Sequence, residues 1–126
     1  MLEYITEIEY EKLLGANSIP DNFKNLVIKA SNYINYMTRG RIDKDNIPEQ
    51  VKYTTCLILN LIEEENTKLK EIGNLKSQNI EGWSESYSTP EEIKADYKEK
   101  KYSILKEYLW NVIGTDGNPL LYSGVY

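Results

Sequence analysis

The sequence predicts a mainly α-helical protein, a small four-helix domain with an irregular or short hairpin segment before the last helix and an extended C-terminal arm. Three observations carry this. Apolar residues recur at three- and four-residue steps in the second quarter of the chain and again after Pro90. Polar cap residues stand at the head of each periodic segment, and Gly15, Gly40 and Gly114 stand at or near the ends. The size and composition, 126 residues with 40 % hydrophobic and 28 % charged side chains, fit one soluble globular core. Folding at this length buries roughly two-thirds of the surface of the unfolded chain, so neither disulfides nor a metal is required. The expected division is a helical domain over residues 1–114, with a loop or hairpin at 73–89, followed by an arm over 115–126.

Thr6-Glu7-Ile8-Glu9 has the spacing of a capping box, in which the Thr oxygen meets a free amide and Glu9 reaches back, so a short helix starts there and ends at Gly15. Ser18-Ile19-Pro20-Asp21 is read as the second start. After it Phe23, Leu26, Val27, Ala30, Ile34 and Met37 mark one amphipathic face, and Gly40 ends the helix with Arg39 near its negative pole.

A further capping box, Asn46-Ile47-Pro48-Glu49, opens the longest apolar segment, expected to run from about Pro48 to Glu71. From Cys56 to Ile62 only Asn60 is polar, which makes this the central helix, with Leu61 expected deep in the core. Glu63-Glu64-Glu65 and Lys68-Leu69-Lys70 then return it to solvent; three consecutive carboxylates diverge around a helix and are read as a solvated extension rather than a cation site.

Between Gly73 and Thr89 the helical period is lost among Gly, Asn and Ser. Ile80, Trp83 and Tyr87 have no regular partner there, so the segment is expected to be mobile in an isolated subunit and to order at a contact with a neighbouring copy. Ser88-Thr89-Pro90-Glu91-Glu92 opens the last helix. Ile93, Tyr97, Ile104, Leu105, Tyr108 and Val112 form its apolar face, Asp96 and Lys100 a supporting pair, and Gly114 its end. Thr115-Asp116-Gly117-Asn118-Pro119 reads as a turn. The apolar stretch Leu120 to Tyr126 lies beyond it and either folds back over the core or docks on another chain, the second being the expectation.

Catalysis finds no support in the residues. The chain has no His, so neither Ser84, Ser86 and Ser88 nor the single Cys56 has an imidazole to activate it, and Cys56 reads as a buried thiol. Gly114-Thr115-Asp116-Gly117 leads into Pro119 rather than into a lysine-bearing helix, there is no zinc pattern, and carboxylate pairs are expected by chance in so acidic a chain. No enzyme activity and no cofactor are expected. The net charge of −5 argues against a surface that grips phosphate backbones. A helix-turn-helix around Thr38-Arg39-Gly40-Arg41 is set aside, because the connection to Asn46 is long and the following helix is apolar. The N-terminus lacks signal-peptide character and no stretch approaches membrane-spanning length, so a cytoplasmic origin and no membrane partner are expected. Eleven Tyr against one Phe suit half-buried subunit contacts, or equally a core that prefers Tyr.

Several stretches together resemble the head-tail connector family, also called head-completion or adaptor proteins, of long-tailed double-stranded DNA phages and prophages. They are Tyr4-Ile5-Thr6 with Tyr10 and Leu13-Leu14-Gly15; Lys29-Ala30-Ser31 through Ile34 to Thr38-Arg39-Gly40-Arg41-Ile42; and Ile47-Pro48 with Val51-Lys52. The run Lys76-Ser77-Gln78-Asn79-Ile80-Glu81-Gly82-Trp83-Ser84 and the closing Leu120-Leu121-Tyr122-Ser123-Gly124-Val125 complete the set.

The resemblance implies a helical virion subunit, assembled in the bacterial host cytoplasm, that forms a ring of about twelve copies on the portal protein at the head-tail junction. It also implies a stopper or tail-completion protein as the next partner, and DNA passing through the lumen without sequence-specific binding. The arm, with Leu120, Leu121, Tyr122, Gly124, Val125 and Tyr126, would reach to the portal. Ser123 stands where relatives often carry Arg, so a salt-bridged contact is not implied there. Negative charge would keep DNA from condensing on the channel, although −5 is also an ordinary soluble composition. A small acidic helical regulatory or inhibitory binding protein is the alternative, and collar formation on the portal separates the two.

Overall fold

Thr6 closes the expected capping box: its hydroxyl accepts from the Glu9 amide at 3.2 Å and the Glu9 carboxylate accepts from the Thr6 amide at 3.0 Å, opening α1 (Glu7–Leu14). The molecule is described by a computed structural model over residues 2–15, 19–77 and 89–121, with backbone alone at 74–77. Four helices make up the described residues: α1, α2 (Phe23–Met37), α3 (Glu49–Ser77) and α4 (Pro90–Leu109), with an isolated antiparallel bridge between Ile113 and Pro119 and no strand. The mainly helical four-helix expectation is met.

Several boundaries fall elsewhere than the sequence indicated, each for a local reason. The second helix does not open at Ser18-Ile19-Pro20-Asp21. The Pro20 carbonyl first accepts from the Phe23 amide at 3.1 Å, so a turn precedes α2 and Asn22 becomes its cap. Phe23 then packs edge-to-face on Tyr10, with ring centroids 5.5 Å apart. At the other end Arg39 (φ 54°) and Gly40 (φ 71°) are both left-handed, and the Gly40 amide reaches back to the Asn35 carbonyl at 3.0 Å.

The box expected at Asn46 is displaced as well. Asn46 donates its amide to the Asp43 carbonyl, closing a turn, and the Pro48 carbonyl accepts from Lys52 at 3.1 Å, so Glu49 is the first helical residue rather than the third. α3 also runs on to Ser77, past Gly73, so the first five residues of the expected 73–89 loop are helical. Ile72 is buried with Ile93 and Tyr97, while Leu69 and Leu61 pack partly buried against them. This contact with α4 outweighs the intrinsic cost of about 1 kcal/mol for a helical glycine. Ile80, Trp83 and Tyr87 lie outside the described residues.

α3 is the central helix, with α1, α2 and α4 all packed against it. Val51, Cys56, Ile58 and Leu59 on α3 meet Val27, Ala30 and Ile34 of α2 and Leu105 and Leu109 of α4, all of them fully buried. Each such large aliphatic contributes roughly 1.5–3 kcal/mol by leaving water. Leu61 is only partly buried and belongs to the smaller Ile72–Tyr97 cluster, because α3 turns it toward the flank of α4 and not toward α2. Thr54 and Thr55, also buried, satisfy their hydroxyls by donating to the Gln50 and Val51 carbonyls one turn back.

Candidate functional site

The Thr38–Arg41 turn and the root of the expected arm, far apart in sequence, meet in space. Arg41 Nε donates to an Asp116 carboxylate oxygen at 2.9 Å, and a terminal guanidinium nitrogen reaches the Pro119 and Leu120 carbonyls at 3.4 and 3.3 Å. The Arg41 carbonyl in turn accepts from the Thr115 amide at 2.8 Å. Thr38 is buried and its hydroxyl donates to the Ile34 carbonyl at 2.8 Å, which fixes the end of α2 from which Arg41 departs.

The segment held by Arg41 is itself closed. α4 ends at Leu109 and not at Gly114, since the Val112 amide turns back to the Leu109 carbonyl at 3.2 Å and the chain leaves the helical path. The Gly114 amide donates to the Asn118 carbonyl and the Leu120 amide to the Val112 carbonyl, both at 2.8 Å, making a small reverse loop. Asp116 caps it from within by accepting from the Asn118 amide at 3.1 Å. That backbone bond, more than the guanidinium of Arg41, holds the Asp116 carboxyl below its ordinary range.

Of the six expected arm residues, Leu120 is 1 % exposed and part of the core, and Leu121 is half-buried against it. The arm therefore does not begin at residue 115 or at Leu120. Residues 115–120 are the closing piece of the domain. Tyr122, Gly124, Val125 and Tyr126 lie outside the described residues.

Leu121 lines a cleft of about 750 Å³ between the end of α2 and the flank of α4, together with Tyr36, Met37, Arg39 and Tyr102. Tyr36 is 79 % and Tyr102 45 % exposed, and Trp110 and Ile113 are exposed beyond them at 66 and 57 %. Sequence reasoning did not single out these four. Their signal was present: Tyr36 and Tyr102 fall off the apolar period of their helices, and a large ring out of phase with the buried face is directed to solvent.

Lys52 Nζ and a Glu9 carboxylate oxygen are 2.5 Å apart, tying α1 to α3; the pair lowers the Glu9 carboxyl from its usual value and raises the Lys52 ammonium. Burial pushes the Cys56 thiol up to about 11. No group of three or more Cys, Asp or Glu side chains stands together to hold a metal ion among the described residues, and no described helix is long and apolar enough to cross a membrane. Comparison of the chain with protein-family models, curated proteins and solved structures finds no match.

Proposed function

We propose that this protein is a structural head-tail connector subunit of a bacteriophage, one that docks with copies of itself on the portal, completes the head and links it to the tail, with DNA passing through. It acts by assembly and performs no chemistry of its own.

One observation carries the reading. Two of the stretches on which the resemblance rests, Thr38-Arg39-Gly40-Arg41 and the segment entering Leu120-Leu121, are joined through Arg41 to Asp116, Pro119 and Leu120. A turn that grips the root of the last segment gives whatever follows Leu121 a fixed point of departure beside the exposed rings of Tyr36 and Tyr102. Such anchoring suits a docking arm, because holding one end in place reduces the entropy lost when the rest binds.

Portal capture tests it. Immobilised cognate portal rings are expected to retain the full chain and to release a variant lacking residues 122–126, while the two proteins melt alike. Retention of the shortened protein, or equal failure of both to bind, would contradict the reading. A regulator that caps some other partner has no reason to collect on portal rings at all.

A further inference from the structure

α4 and its C-cap Trp110 carry an exposed line of Lys98, Tyr102, Lys106 and Trp110, spaced four residues apart and therefore stacked on one side of the helix. The Lys106 ammonium lies 4.7 Å from the centre of the Tyr102 ring, and the cleft beside this line has Arg39 as its charged lining residue among those described. On a chain of net charge −5 this edge is locally cationic and aromatic.

α1 presents a face with an acidic excess. Ile8 is 74 % exposed, with Glu7 and Glu11 exposed on one side of it and Lys12 exposed one turn on, so its surroundings carry two carboxylates and one ammonium. The inward side of α1 is occupied: Glu9 pairs with Lys52, and the Tyr10 hydroxyl donates to Asn60 at 2.7 Å. α4 engages a different flank of α3, through Tyr108 on Tyr53 and Lys101 near Glu65 at 3.8 Å. The acidic apolar face and the basic aromatic edge are therefore separate surfaces of one molecule.

We infer that α1 of a second copy docks on the α4 edge, Ile8 entering the cleft at Tyr36 and Tyr102 while Glu7 and Glu11 face Arg39 and Lys106. The two surfaces differ in apolar shape and oppose in charge, so each copy offers one and accepts the other. A contact of this heterologous kind repeats from copy to copy, and it closes into a ring where the rotation allows. Opposed charge fixes the register and steers the encounter, and the aromatic cleft supplies the area removed from water. The inference rests on the reading of a self-assembling subunit and names the faces by which it would assemble.

Two single-cysteine variants test it, Ile8→Cys and Tyr102→Cys, both at exposed positions, with the buried Cys56 thiol too basic and too enclosed to compete. Mixed at high protein concentration and low salt and then oxidised, they are expected to give an 8–102 disulfide at least ten-fold above a Thr67→Cys and Tyr102→Cys mixture, Thr67 being exposed elsewhere on α3. Lys106→Glu should suppress the crosslink, and Glu11→Lys in the Ile8→Cys partner should restore it. An 8–102 yield no higher than the control overturns the inference, as does an edge that binds duplex DNA through Lys98 and Lys106 without self-crosslinking. A collar that forms on portal rings with no 8–102 crosslink sinks this contact and leaves the connector reading standing. A crosslink formed by a protein that ignores portal rings supports the contact and sinks the connector reading.

Discussion

At Gly114 the backbone passes so close to Arg41 that an added Cβ would lie 2.6 Å from the Arg41 Cβ and 3.1 Å from a Leu120 methyl. Neither neighbour can retreat cheaply, since one is the first atom of a side chain pinned by Asp116 and the other belongs to a core leucine. Gly114→Ala is therefore expected to lower stability by about 1–3 kcal/mol, the usual cost of overpacking. Chemical denaturation checks this, and a variant as stable as the parent would show that the 114–120 loop is not held against Arg41. The core assignments carry a matching contrast. Ile58 is fully buried and Leu61 only partly so; Ile58→Ala should cost about 2–5 kcal/mol and Leu61→Ala clearly less. The apolar run Cys56 to Ile62 was legible as the core segment, but it is apolar on nearly every side, so its period could not say which leucine faced α2. Contacts from other elements decide that.

Helix ends show where local chemistry is enough and where it is not. Thr6 and Thr89 cap α1 and α4 as their spacing indicates, because a threonine hydroxyl and the third amide of a helix meet without help from the rest of the fold. The helices expected to open at Ser18 and Asn46 begin later, because Pro20 and Asp43 close turns with their own carbonyls first. The loss of helical period from Gly73 onward does not end α3 there, since packing of Ile72 on Ile93 and Tyr97 carries the helix through it. Nothing lies within 4 Å of a Cβ built there and its φ is not left-handed, so Gly73→Ala should stabilise the protein by up to about 1 kcal/mol. A melting temperature that falls instead would place the end of α3 before residue 73. The docking of α1 is expected to depend on pH. Glu9 titrates below its ordinary range because of Lys52, so its contribution is present above the carboxyl value of the unfolded chain and is lost as pH falls through the lower folded value. Glu9→Gln should flatten that part of the acid side of the stability profile, and the raised Lys52 ammonium should matter only at strongly alkaline pH.

At the level of the whole molecule the helical class, the central helix and the buried cysteine were readable, because they follow from periodicity and composition. The union of Arg41 with residues 114–120 was not, since Gly114, Gly117 and Pro119 look alike in a loose linker and in a clamped loop. The clamp changes what truncation should do. Removing 122–126 is expected to leave the fold intact, whereas removing 120–126 also deletes a core leucine and should cost about 2–5 kcal/mol, as other large core truncations do. The connector reading is tested most directly by electron microscopy of cognate portal rings incubated with the full chain. The account predicts an added axial collar of protein on the portal, with repeated copies in contact around the channel. Portal particles that stay bare, or that gain scattered protein off the axis, would contradict it.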